Sequence, residues 1–145
     1  MIEEVYRDGF NLLCGNEVAT GMTRTVFECN VDKSLVVKVE KAEVRTHFQN
    51  LVEWMAWKRV AGTEFEKWFA PVVEISPDGR LLLMKRVEHA PSHMLPDRLP
   101  AFFTDFKPSN YGFYEGRVVC CDYGSHLLHE VGMTKRVRRV DWRER

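Results

Sequence analysis

Between Thr104 and Gly124 the chain reads Thr-Asp-Phe-Lys-Pro-Ser-Asn-Tyr-Gly, a tight turn, an apolar run, and then Asp-Tyr-Gly. No other stretch narrows the possible folds as much. Tyr111–Tyr114 and Arg117–Cys121 flank Glu115-Gly116, which reads as a β-hairpin. Asp105, Lys107 and Asn110 precede its first strand, and Asp122 follows its second. An isolated loop aspartate usually bonds its own backbone in a turn. Two carboxylates, a lysine and a carboxamide gathered around one hairpin point to chemistry instead.

That set suits phosphoryl transfer. One carboxylate accepts a hydroxyl proton, while an amide oxygen and a second carboxylate are hard ligands for Mg²⁺. The run D-x-K-P-x-N followed by D-Y-G resembles the catalytic loop and metal-binding D-F-G of the protein-kinase superfamily. The resemblance implies Asp105 as catalytic base and Lys107 as the cation at the transferring phosphate. It implies Asn110 and Asp122 as Mg²⁺ ligands, with ATP and Mg²⁺ as cofactors.

The preceding chain is consistent with that resemblance. Glu17–Thr20, Thr25–Cys29 and Ser34–Val39 read as a three-stranded meander within residues 10–40, with turns at Gly21 and Asn30–Lys33. Lys38 lies mid-strand among valines, an ordinary solvent-facing lysine by itself. By resemblance it is the lysine that contacts the nucleotide phosphates, and Val26 is the valine that closes the phosphate loop. Gly21 matches the middle loop glycine, while Ala19 and Arg24 stand where the first and third would be. Lys41–Val60 reads as an amphipathic helix whose apolar stripe is Val44, Phe48, Leu51, Val52 and Met55, widened by Trp54 and Trp57 and stopped at Gly62. Glu53 inside it is the expected partner of Lys38. A second hairpin, Pro71–Ile75 with Arg80–Met84, turns at Ser-Pro-Asp-Gly. Met84 then stands as gatekeeper, with Lys85–Glu88, Arg86 among them, as the adenine-binding hinge.

The later chain is shorter than the family pattern. Pro91, Pro96 and Pro100 make residues 89–102 irregular, where two helices normally intervene. Phe103-Thr104 replace the His-Arg that usually precede the catalytic aspartate. Beyond Gly124 there is no A-P-E and no long apolar helix. The tail Lys135–Arg139 is basic and is expected to be solvated and partly disordered.

With 145 residues, 45% hydrophobic and 29% charged, the chain is sized for one globular domain. Formal net charge is +0, which offers no global pull toward nucleic acid or membrane. No apolar run approaches a membrane span, and the acidic start is unlike a leader, so a cytoplasmic location is expected. The four cysteines form no C-x-x-C pair. A zinc site from Cys120, Cys121, His126 and His129 conflicts with adjacent strand residues facing opposite ways, so free, mostly buried thiols are expected.

The expected fold is α+β and protein-kinase-like: a five-stranded antiparallel N-lobe sheet with one αC-type helix over residues 1–88, a hinge, catalytic loop and D-Y-G over 89–125, and a basic tail over 126–145. The implied function is ATP-dependent transfer of the γ-phosphate to a protein Ser/Thr hydroxyl, since lysine after the aspartate is typical of protein kinases. The alternative is a pseudokinase-like binding module that docks a partner, with or without nucleotide. The missing helices would leave apolar surface for an oligomer or partner to cover.

Overall fold

The computed structural model describes residues 2–42, 48–124 and 132–142. Five strands form one antiparallel sheet: β1 (Cys14–Thr20), β2 (Arg24–Cys29), β3 (Leu35–Glu40), β4 (Val72–Ile75) and β5 (Leu81–Lys85), in the order β1-β2-β3-β5-β4. The mixed α and β composition and the five-stranded sheet agree with expectation. The turn chemistry does too. Gly79 takes φ +77 and donates to Ser76 O at 2.9 Å, while Asp78 Oδ1 accepts the Ser76 hydroxyl at 2.7 Å.

Two compact units are present, Met1–Trp54 with Val72–Arg86 and Met55–Pro71 with Val87–Arg145. In the first, the register pairs Val26 with Lys38 and Lys38 with Leu82, so these three share a sheet face with Arg24, Val36 and Met84. The opposite face carries the buried cluster of Cys14, Cys29, Leu35 and Val37, flanked by Leu13, Phe27, Val39, Leu81 and Leu83. A helix absent from the sequence reading, α1 (Ile2–Leu13), precedes β1. Its Phe10 ring meets Phe27 edge-on at 5.5 Å, and none of its residues is buried. Its alternation of apolar and acidic residues follows a 3.6 period, which the strand-centred reading of residues 10–40 passed over.

The second helix, α2 (Gln49–Val60), corrects an expectation. Val44 lies outside the described residues. Phe48, Leu51 and Met55 of the expected inward stripe are exposed by 62%, 44% and 51%, whereas Asn50, Glu53, Ala56 and Val60 face inward. The cause is electrostatic. Glu53 finds two cations on the sheet, and turning that face inward rotates the neighbouring apolar residues outward. Gly62 ends the helix at φ +80, a conformation that costs glycine nothing.

The second unit is built on aromatic packing. Phe69, Phe102, Phe103, Tyr111 and Tyr123 are all fully buried, with successive ring centroids 4.8 to 5.9 Å apart. Strands β7 (Tyr111–Tyr114) and β8 (Arg117–Cys120) form the expected hairpin, turned by Glu115 and Gly116 at φ 50 and 78. Residues 89–102 are less irregular than expected: they include a short 3₁₀ turn at Ser92–Met94 and strand β6 (Arg98–Pro100). The tail corrects another expectation. Val137–Arg139 forms strand β9, antiparallel to β6, rather than a disordered end. Val140 N–H to Asp97 O and Ala101 N–H to Arg136 O, both 2.8 Å, close the two ends of that ladder.

Candidate active site

Strand β3 turns Lys38 inward because its position alternates with Val37, which fills the opposite core. Burying an ammonium is costly unless it is paired. Lys38 Nζ donates to Glu53 Oε1 at 2.9 Å, and both side chains are almost wholly removed from solvent. Arg24, the residue in the third loop-glycine position, also points inward. Its guanidinium makes a two-pronged contact with Glu53, Nη1–Oε1 2.8 Å and Nη2–Oε2 3.0 Å. Burial alone would push the Glu53 carboxyl up, but the Arg24 guanidinium and then the Lys38 ammonium hold it well below the usual carboxylate range.

Asn50 completes this cluster. Its Oδ1 accepts from Arg24 Nη1 at 3.0 Å, and its Nδ2 lies 3.0 Å from each of the carbonyls of Lys38, Gly79 and Arg80. Its backbone N–H is capped by Glu40 Oε1 at 2.7 Å. One carboxamide thereby ties the first turn of α2 to β2, β3 and the β4–β5 turn. Neither Arg24 nor Asn50 figured in the sequence reading as a partner of Glu53. Their only sequence signal was a helical offset of three between Asn50 and Glu53.

The other expected nucleotide-site residues of this unit separate into two groups. Val26 and Met84 share the face of Lys38. Gly21 sits at the exposed tip of the β1–β2 hairpin, its N–H bonded to Arg24 O at 2.9 Å. Arg86 lies at the end of β5, where its N–H donates to Ser34 O at 2.8 Å and its guanidinium reaches Glu28 at 3.4 Å. Glu88, in the second unit, exchanges both backbone bonds with Phe113, at 2.9 and 2.8 Å. Of the expected hinge residues, Glu88 therefore has its backbone groups already committed.

In the second unit the loop 104–110 is held from inside. Tyr111 donates its hydroxyl to Asp105 O at 3.0 Å, and Phe103 is buried against Phe69, Phe102 and Tyr111. Apolar packing thus occupies the place of the polar His-Arg brace. Asp105 is half-buried, and its Oδ1 accepts the Lys107 N–H at 3.4 Å; Lys107 itself is exposed. A 3₁₀ turn, Pro108–Asn110, delivers Asn110 into the first strand of the hairpin. The Cys121 N–H donates to Asn110 O at 2.7 Å, which sets Asp122 one residue beyond Asn110's backbone partner.

Asn110 is buried, and its Nδ2 has no hydrogen-bond partner among the described residues. Buried amides are rarely left so. Turning the carboxamide over would present Oδ1 at the same point, the donor type that Mg²⁺ accepts beside a carboxylate. The Asn110 carboxamide thus has the chemistry of one Mg²⁺ ligand. No group of three or more acidic, His or Cys side chains suited to holding a metal by itself occurs among the described residues. Tyr123 holds the D-Y-G turn: its buried hydroxyl donates to Ala70 O at 3.0 Å and its ring packs edge-on against Phe69. His126 and His129, named for a zinc site, lie outside the described residues; Cys14, Cys29 and Cys120 are buried and Cys121 is half-buried, none of the four in a disulfide.

A five-stranded antiparallel sheet followed by a helix-poor unit carrying this hairpin is a protein-kinase-like fold, and one solved structure supports that fold. The chain is similar to the aminoglycoside phosphotransferase in the gentamicin–APH(2")-IIa complex, with a TM-score of 0.57 and 13% identity over 85% of this chain and 70% of that one. A weaker likeness, TM-score 0.44 and 19% identity, links 62% of this chain to 30% of the enzyme in the streptomycin–ATP–APH(2")-IIa ternary complex. At these identities the likeness is one of fold. No family profile and no curated relative matches the sequence. No helix among the described residues is long and apolar enough to cross a membrane.

Proposed function

We propose that the chain is an ATP-dependent phosphotransferase of protein-kinase type, with the first unit as its N-lobe, α2 as its αC-type helix, and the second unit as a reduced C-lobe with the catalytic loop. The observation that carries this reading is the buried Lys38–Glu53 pair at 2.9 Å, formed between the strand and helix that the resemblance names. A lysine paired in this way is held in one orientation, as a group that grips nucleotide phosphates must be. Val26, half-buried on the same sheet face, offers apolar surface to the adenine, and Met84 on that face is fully buried.

Asp105 orients an acceptor hydroxyl and takes its proton as the oxygen attacks the γ-phosphorus. The bond from that phosphorus to the β-γ bridging oxygen breaks, and ADP leaves. Lys107 neutralises charge on the moving phosphoryl group. Asn110 and Asp122 would hold Mg²⁺, which when bound supplies charge neutralisation to the β and γ phosphates. The acceptor proposed is a protein Ser/Thr hydroxyl; a small molecule, as in the gentamicin complex of the structural neighbour, is the competing class.

A second reading, a binding module that docks a partner, is favoured by one observation. The N-terminal helix leaves Ile2, Val5, Tyr6 and Leu12 exposed by 63 to 74%. Calorimetric titration with ATP and Mg²⁺, alongside transfer of labelled γ-phosphate, separates the two. Asp122→Asn should weaken metal-dependent binding, and Asp105→Asn should spare binding while abolishing transfer. Nucleotide binding without transfer by the wild type would leave the module, and no binding at all would end the enzyme reading.

A further inference from the structure

The register of the β6–β9 ladder decides what each arginine of β9 can reach. Arg139 stands opposite Arg98, whereas Arg138 stands opposite Leu99, which is buried. Successive strand residues face opposite ways, so Arg138 shares a face with Leu99, and Arg139 shares the other with Arg98. From its face the Arg138 guanidinium lies over the Phe106 ring, 4.9 Å from the ring centre. Past the ladder, Val140 is buried and its N–H donates to Asp97 O at 2.8 Å, which fixes where the chain goes next. Trp142 follows. Its indole N–H donates to Pro96 O at 2.9 Å, and its half-buried ring meets Tyr111 edge-on at 4.9 Å and Phe106 edge-on at 6.3 Å.

Phe106 is the residue between Asp105 and Lys107. A ring held by a cation on its face and an indole at its edge restricts the backbone that carries it. That backbone runs directly into Asp105 on one side and Lys107 on the other. Tyr111, the second ring that Trp142 touches, donates its hydroxyl to Asp105 O at 3.0 Å. Trp142 therefore reaches Asp105 by two routes, through the side chain of the next residue and through the carbonyl of Asp105 itself.

We infer that Trp142 and Arg138 are positioning residues for the catalytic loop: acting through Phe106 and Tyr111, they hold Asp105 where its carboxylate receives the acceptor proton. The inference rests on the phosphotransferase reading and adds to it a part played by residues 138–142. A loop already fixed in one conformation spares the reaction the cost of ordering its base. Every group assigned to the chemistry itself lies earlier in the chain, so this late segment acts on the reaction only by what it holds in place.

The test uses the full chain and reads three quantities separately: transfer of labelled γ-phosphate to the chain itself or to casein, calorimetric ATP affinity, and amide hydrogen exchange. Trp142→Leu should slow transfer about tenfold with ATP affinity unchanged, since a displaced reacting group is that costly. Arg138→Leu should slow it about two- to fivefold, the worth of one exposed cation–π contact. Arg138→Lys keeps a cation over the ring and should recover most of that loss. Arg139→Leu removes the same charge from the other face of the ladder and should change nothing. Without nucleotide, exchange of the Asn110 N–H, bonded to Lys107 O at 3.0 Å, should quicken in Trp142→Leu. Exchange of the Glu40 N–H, bonded to Arg80 O at 2.9 Å, should stay as in wild type and show that the variant folds. Unchanged exchange at Asn110, or equal losses of transfer in Arg138→Leu and Arg139→Leu, would overturn the positioning role. Faster exchange at Asn110 in a chain whose wild type binds ATP but transfers no phosphate would instead sink the phosphotransferase reading, and the catalytic part of this inference with it.

Discussion

Arg24 and Glu53 meet through both prongs of the guanidinium, at 2.8 and 3.0 Å, around a carboxylate with no exposed surface. The same Glu53 oxygen that takes one prong also accepts from Lys38. Arg24 therefore acts on Lys38 through their shared partner. It fixes the carboxylate plane, and with Asn50 it fixes the helix that carries it.

Replacing Arg24 should consequently damage more than a surface loop change would. Arg24→Met is expected to cost about 3 kcal/mol of stability, the range for removing one partner of a buried charge pair. Arg24→Lys should recover only part, because an ammonium cannot make the two-pronged contact. Urea unfolding of the three proteins checks the ranking, and equal midpoints for wild type and Arg24→Met would refute it.

The Glu53 carboxyl, held below its usual range, gives a pH signature whose sign is fixed. A depressed folded value stabilises the protein above the unfolded carboxylate value of about 4.3, and that contribution is lost as pH falls through the folded value. Glu53→Gln removes the charge and keeps the shape. The stability gap between wild type and Glu53→Gln should be wide at neutral pH and narrow steadily below about pH 4. Chemical denaturation at several pH values measures it; a gap that stays constant into acid would mean that Glu53 is not ionised in the folded chain.

The strands were legible because their signals are local. Valine-rich runs, the Pro-Asp-Gly turn and the Glu-Gly hairpin each carry their own backbone preference, and each formed where expected. Helix α2 was legible as a helix but not in its orientation, since apolar periodicity assumes that the core is apolar. Here one buried carboxylate with two distant cations decided the inner face, and no count along Gln49–Val60 reveals Arg24 on β2. The same holds for Tyr111 and Tyr123. Their hydroxyls bond Asp105 O and Ala70 O, contacts set by tertiary packing alone. Strand β9 escaped notice because its arginines mimic a solvated tail.

The outward rotation of α2 makes a contrast that a hydrophobicity plot would invert. Leu51→Gln and Met55→Gln sit on exposed positions and should change stability by less than about 0.5 kcal/mol. Ala56→Gln, at a position only 1% exposed, should cost roughly 1–3 kcal/mol by overpacking and burying an amide. Thermal unfolding compares them. Severe loss in Met55→Gln with a tolerated Ala56→Gln would place the helix in the register that its apolar residues suggest.

Tyr111 offers the complementary alkaline test. Burial first, then the nearby Cys120 and Asp105, push its phenol far above the ordinary tyrosine range, so the hydroxyl keeps its proton and continues to donate to Asp105 O. A raised folded value means that its contribution is fully present below the unfolded value of about 10 and is lost as pH climbs beyond it. Wild type should therefore destabilise above about pH 10 more steeply than Tyr111→Phe, whose ring packs alike but cannot ionise. At neutral pH the same variant should lose about 1 kcal/mol with its hydrogen bond. Its phosphotransfer rate should also fall, with ATP affinity retained, because the released loop no longer holds Asp105 in place. Parallel alkaline denaturation curves for the two proteins, or an unaltered transfer rate, would show that the hydroxyl does not brace the loop.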